Sequence, residues 1–288
     1  MRAFHCLVNP LSGGGAAPAA VVPVARALRD AGAAVEVTYS PGPVACARLA
    51  REAAQRGEVV VAVGGDGMLS SVASAVVEAH GTLGIVPSGR GNDFARMLGL
   101  GADPEQVAHV LLEGEPTPVD VVDAGRRVVL GSVYAGVDSL ASAIVDRAQR
   151  LPRSLQYPYA AVRSVLEFSP TRFTVEVDGE RIDEEAYTVV VANSGYYGAG
   201  MHIAPAASVT DGLLDVVVVR AASKLHLIRS LPKLYDGTHV ELDDVITTQG
   251  VEVRVRSADP VTAYGDGERL APLPLTARVR PGALTVLR

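Results

Sequence analysis

Val59-Val60-Val61-Ala62-Val63-Gly64-Gly65-Asp66-Gly67-Met68 is the stretch that decides the fold. Five small or β-branched apolar residues read as a buried strand, and the glycines break it. An apolar i, i+3, i+4 pattern (Leu69, Val72, Ala73, Val76, Val77) then starts a helix. A strand, a glycine turn and a helix N-terminus together make an anion site. Glycine lets the backbone approach a phosphate, and the first helical amides have no internal partners. The acidic Asp66 inside that turn makes sense if a divalent cation or water mediates between carboxylate and phosphates. The stretch reads as the nucleotide-phosphate loop of a Mg-dependent kinase.

Outward from this loop, strands and helices alternate over the first 120 or so residues. Strands are expected at Ala3–Val8, Ala34–Tyr39 and Leu83–Val86, and helices at Pro18–Ala31, Pro43–Arg56, from Asn92, and at Pro104–Glu113. That rhythm predicts a doubly wound parallel sheet, with its βα turns gathered at the carboxyl edge where such sheets bind ligands. From about Val121 strand patterns dominate: Arg127–Val133, Arg172–Val177, Tyr187–Asn193, Leu214–Arg220, Val251–Arg256, Leu275–Val279 and Ala283–Leu287. Helical insertions are expected at Ser139–Arg150, Tyr157–Phe168 and Ser223–Tyr235. The expectation is an α/β nucleotide-binding domain over 1–121 and a β-rich, sandwich-like domain over 122–288, with the active site in the cleft between them.

Bulk composition narrows the class. The 288 residues are 48% hydrophobic and 20% charged, as in an ordered globular protein. A net charge of −6 argues against nucleic acid as partner. Cys6 and Cys46 fit no metal or redox spacing and read as small buried hydrophobes. The apolar part of the N-terminus is too short for a signal peptide, and no apolar run reaches the roughly 20 residues of a spanning helix. A cytoplasmic protein is expected, peripheral at the inner face of the membrane, with a homodimer also admitted. The segment Leu151–Phe168, with Arg150, Arg153, Arg163, Tyr157, Tyr159 and Phe168, suits a membrane interface, or equally a helix packed on the sheet.

Three further glycine turns are weak alone: Asn9-Pro10-Leu11-Ser12-Gly13-Gly14-Gly15, Pro87-Ser88-Gly89-Arg90-Gly91-Asn92-Asp93-Phe94-Ala95-Arg96, and Tyr264-Gly265-Asp266-Gly267-Glu268. In the second, Asn92 or Asp93 could simply cap a helix, and Asp-Gly in the third is a common hairpin turn. Together with Asp120, Asp123, Asn193-Ser194-x-x-x-Gly198-x-Gly200, Pro205 and Thr210-Asp211-Gly212-Leu213-Leu214-Asp215-Val216, they make a specific set. The chain resembles the diacylglycerol kinase-like lipid kinases, whose catalytic fold sphingosine and ceramide kinases share, over nearly its whole length.

The resemblance implies an ATP- and Mg2+-dependent kinase acting on a lipid hydroxyl, diacylglycerol being the default substrate. It implies that Asn9, Pro10, Ser12, Gly13 and Thr38 line the nucleotide. Gly64, Gly65, Asp66, Gly67, Met68, Gly89, Arg90, Asn92 and Asp93 complete the phosphate site. Asp66, Asp93 and Asp120 look like the acidic set that organises Mg2+. Ser208, Asp211 and Leu213 resemble a structural cation site. Asp266 is the favoured general base and Glu268 its competitor, because the attacking alcohol needs a proton acceptor.

Three departures stand out. Met68 replaces the usual Thr or Asn, Arg90 replaces a Thr, and Ala16 and Ala17 lie where a lysine is common. Arg90 could supply both lost groups through its planar guanidinium, or point into solvent. Arg96 is a second candidate cation. The alternatives are a NAD kinase-like enzyme, disfavoured by the Asp-Gly-Leu-Leu-Asp pattern, and a non-catalytic nucleotide- or lipid-binding regulator with a decayed phosphate loop.

Overall fold

The computed structural model describes residues 2–40, 42–125, 127–148, 151 and 153–288. Two compact units emerge, one formed by Met1–Val121 with Arg280–Arg288, the other by Val122–Val279. The last nine residues, which the sequence reading assigns to the second domain, thus cluster with the first.

The first unit follows the expected alternation: β1 (Ala3–Val8), α1 (Ala17–Asp30), β2 (Ala34–Tyr39), α2 (Pro43–Gln55), β3 (Val59–Gly64), α3 (Asp66–Glu78), β4 (Thr82–Pro87), α4 (Asp93–Met97), α5 (Pro104–Glu113) and β5 (Pro116–Asp123). β1 pairs in parallel with both β2 and β3, and β3 with β4. Every residue of β3 is buried, as a strand covered on both faces must be. Helix α1 turns Val21, Val24, Ala25 and Leu28 inward at helical spacing, against Phe4, Cys6 and Val8 of β1.

The second unit contains β6 (Val128–Val129), β7 (Ser132–Gly136), α6 (Val137–Arg147), α7 (Arg153–Glu167), β8 (Thr171–Val177), β9 (Glu180–Ala192), β10 (Leu214–Arg220), α8 (Lys224–Ser230), α9 (Lys233–Asp236), β11 (Val245–Gly250), β12 (Glu252–Ser257), β13 (Thr262–Gly265), β14 (Glu268–Pro272) and the first part of β15 (Leu275–Leu287), whose residues from Arg280 on belong to the first unit. The long β9 changes partners along its length. Glu180–Ala186 pairs with β8, and Thr188–Ala192 pairs with β7. A strand that switches sheets in this way joins the two layers of a sandwich, whose apolar interior includes Phe173, Val189, Val216, Val253 and Ala277.

Several expected elements differ in detail. The strand expected at Arg127–Val133 is two short strands, β6 and β7. The helix expected at Ser223–Tyr235 is α8 and α9, because Pro232 has no amide to continue the first and serves as N-cap of the second. Arg150, expected to end a helix, lies outside the described residues, as do the side chains of Arg153 and Tyr157. The two terminal strands are one, β15. Its start pairs antiparallel with β12, and Thr285 and Val286 pair in parallel with Thr82 and Leu83 of β4.

Candidate functional site

The strand order β2-β1-β3-β4 reverses between β1 and β3, the position where open parallel sheets bind ligands beyond their carboxyl ends. The loops leaving those strands are tied together there. Gly65 N donates to Ser12 Oγ at 2.8 Å, and Ser88 N, leaving β4, donates to Gly64 O at 2.8 Å. The backbones meet so closely that side chains are excluded. Gly13 adopts φ +59, and a Cβ there would fall 2.0 Å from Ser88 O. A Cβ on Gly89 would fall 2.3 Å from Gly65 Cα. Three loops therefore form a main-chain cradle at the N-terminus of α3. The Ser88 hydroxyl is buried beside it with no hydrogen-bond partner among the described residues. An orphaned hydroxyl and a glycine cradle at a helix start fit an oxygen-rich anion such as a nucleotide phosphate.

The polar residues around the cradle hold the loops in shape. Asn9 Oδ1 accepts from Leu11 N at 3.0 Å. Pro10 shares that turn. Asn92, in the left-handed region at φ +50, accepts from Gly89 N at 2.8 Å and donates to Gly89 O at 3.1 Å through its side-chain amide. The Asn92 side chain does not cap α4. Asp66 from the preceding loop does so instead, accepting from Phe94 N at 3.4 Å. Burial pushes the Asp66 carboxyl up, while the amides of Phe94, Asp93, Asp66 and Asn92 oppose that rise. A half-buried Asp66 and a buried Asp93 both lie at the start of α4, hard-oxygen donors of the kind that suits Mg2+.

Other expected residues fall differently. Met68 turns inward, with Cys46 Sγ 3.8 Å from its sulfur, and its amide donates to Gly65 O. It therefore offers a phosphate neither side chain nor main-chain donor. Arg90 and Arg96 are exposed. Thr38, near the end of β2, has its hydroxyl 2.9 Å from Nε2 of the buried His5. That histidine, with Glu36 and Glu58, forms the one close cluster of three metal-type ligands among the described residues. Arg56 already fills it as counter-charge, 3.2 Å from His5 Nδ1 and 2.8 Å from Glu58.

Asp120 lies on β5, in another loop system from Asp66 and Asp93. Its Oδ1 accepts from Gly282 N at 2.7 Å, and Gly282 precedes Thr285, which is level with Thr82 at the start of β4. The phosphate loops leave the other end of that strand, after Pro87, about 16 Å further along at 3.3 Å per residue. In the second unit Ser208, Asp211 and Leu213 share one turn, where Leu213 N donates to Asp211 Oδ1 at 3.0 Å. Burial pushes the nearby Asp215 carboxyl up, and the Asp211 charge adds to the rise.

Asp266 is not presented as a free base. Its Oδ2 accepts from Leu130 N at 2.8 Å, and its Oδ1 from Gly131 N at 2.8 Å and Ser132 N at 3.3 Å. From the other side Asn193 donates through Nδ2 to Leu130 O at 2.8 Å. The carboxylate is thus a clamp on the Leu130–Ser132 turn, with most of its lone pairs occupied. Glu268, two residues on, is exposed, and its carboxylate makes no hydrogen bond or ion pair to any described residue. Sequence reasoning overlooked Asp138, which accepts from Thr188 Oγ1 at 2.7 Å and whose carboxyl burial pushes up. Its only sequence signal is an acid at the start of a helix.

Comparison with known proteins identifies both halves of the chain. Residues 3–124 match the diacylglycerol kinase catalytic domain, and residues 131–288 the YegS C-terminal NAD kinase beta sandwich-like domain. A diacylglycerol kinase of Mycobacterium tuberculosis is 34% identical, covering 98% of this chain and 94% of its own. One from Bacillus subtilis is 25% identical, covering 95% and 92%. A crystal structure of a diacylglycerol kinase from Bacillus anthracis superposes with TM-score 0.78 over 99% of this chain and 96% of its own, at 19% identity, and attests the fold alone.

Proposed function

For a chain that belongs to the diacylglycerol kinase and YegS family of lipid kinases, we propose the transfer of the ATP γ-phosphoryl group to a diacylglycerol hydroxyl, giving phosphatidic acid. The observation that carries this reading is the main-chain cradle of Gly13, Gly65 and Gly89 around the orphaned Ser88 hydroxyl. Asn9 and Ser12 shape the first loop of the nucleotide site, and the α3 N-terminus faces the phosphates.

Asp66 and Asp93 would hold Mg2+, which neutralises phosphate charge when bound. Ser208, Asp211 and the Leu213 carbonyl form a further cation set of structural role. In the reaction the alcohol oxygen bonds to the γ-phosphorus as the bond from phosphorus to the ADP oxygen breaks. The alcohol proton passes to Glu268, whose exposed, uncommitted carboxylate supports that role better than the clamped Asp266. Asp266 is then a positioning residue. Among the described residues no helix is long and apolar enough to cross a membrane.

The test is incubation with γ-labelled ATP, Mg2+ and defined lipids in mixed micelles. Label in phosphatidic acid is expected. Label in a phosphorylated sphingoid base or ceramide, with none from diacylglycerol, would replace the acceptor while leaving the kinase class intact.

A further inference from the structure

Helix α7 is amphipathic twice over. Gln156, Ala160, Ser164 and Val165 are buried toward the body of the second unit. On the opposite side Leu155, Tyr159, Val162 and Leu166 are exposed at 54%, 39%, 37% and 54%. Their spacing of four, three and four residues keeps them within about 60° on one face, a stripe a water-facing helix has no reason to carry. Helix α8 lies beside its end, where Lys224 Nζ donates to Leu166 O, and adds Leu225, exposed at 58%.

The charges around this apolar strip are of one prevailing sign. Among described side chains, α7 and α8 carry Arg163, Lys224 and Arg229 against Glu167, which pairs with Arg163 at 2.6 Å, so Lys224 and Arg229 supply the cationic excess. The whole chain is at −6. Arg163 also lies over the Tyr159 ring, 5.7 Å from its centroid. We propose that this face of α7 and α8 docks on an anionic bilayer surface, lying in the headgroup plane with its apolar stripe among the acyl chains. An apolar stripe with a tyrosine and a fringe of cations is the pattern of an interfacial helix. The inference rests on the acceptor being a bilayer lipid, but its test reads binding without turnover and so stands apart from the identity of that lipid.

The experiment is co-sedimentation of the full chain with vesicles of phosphatidylcholine containing phosphatidylglycerol, without nucleotide. Leu155→Asp with Leu166→Asp should lower partitioning at least tenfold, and Val44→Asp, more exposed still but on α2, should leave it unchanged. If the double aspartate variant melts early, Leu155→Ser with Leu166→Ser carries the same test. Arg229→Gln should cost about fivefold, and the loss should vanish on pure phosphatidylcholine. Partitioning that survives the stripe variants would overturn the proposal. So would a wild-type chain that ignores vesicles, and equally a concentration-dependent dimer abolished by the stripe variants.

Discussion

Replacing Asp266 by Asn separates a clamp from a base. The carboxylate accepts three backbone amides, two on Oδ1 and one on Oδ2. An asparagine keeps one acceptor oxygen. With that oxygen facing Gly131 and Ser132, its NH2 group meets Leu130 N, donor against donor. Leu130 is only 1% exposed, so its amide cannot turn to water. Hydrogen bonds to a charged group contribute about 1.5–3 kcal/mol, and a stranded buried donor costs about 1–3 kcal/mol. The loss should be about 3 kcal/mol, a fall in Tm of roughly 6–12 °C for a unit of this size. Scanning calorimetry measures it. Glu268→Gln should leave the melt unchanged while lowering kcat by about 10²–10⁴-fold. The reasoning fails if Asp266→Asn melts like the wild type and loses turnover to that extent while Glu268→Gln stays active.

Asp66→Asn should abolish the Mg2+ dependence of ATP binding in isothermal calorimetry. Asp120→Asn should instead lower the melting temperature and leave Mg-ATP affinity within about twofold. Gly89→Ala drives a methyl against Gly65 Cα and should weaken ATP binding at least tenfold, with the melt shifted by only a few degrees. Burial pushes the Cys6 thiol up to about 12, so native protein should leave it unmodified by Ellman's reagent at pH 8 and release it only in urea. Because the unfolded chain ionises that thiol first, near its ordinary value, stability should decline as pH rises above 9 in urea titrations. Deleting 280–288 removes Leu284, Val286 and Leu287, all at most 1% exposed, at about 1.5–3 kcal/mol each, and should unfold the first unit as seen by circular dichroism.

The nucleotide unit was legible because its rules are local. A run such as Val59–Val63 can only be an interior parallel strand, and Gly64 and Gly65 end it in one way. The glycines themselves were legible as a class, though not their reason. That Gly89 faces Gly65, or Gly13 faces Ser88, is a relation between loops far apart in sequence. The same distance hid the structural contacts of the acids. Asp66 caps a helix 28 residues on, Asp120 holds Gly282, and Asp266 grips a turn 136 residues earlier. Composition marks all three only as carboxylates in polar turns. Met68 misled for the opposite reason. It stands where a donor is usual, yet its side chain belongs to the packing of α2 on α3.

The final strand has a consequence for how the chain is made. Leu284 to Leu287 fill the core of the first unit beside β4, yet they are translated after all of Val122–Val279. The nucleotide unit therefore leaves the ribosome early but stays one strand short, with the edge of β4 open to any passing strand. The second unit is the first that can close. A ribosome that stalls before Arg280 emerges leaves the second unit whole and the earlier-made one incomplete, so quality control should recognise such products by their oldest residues rather than their newest.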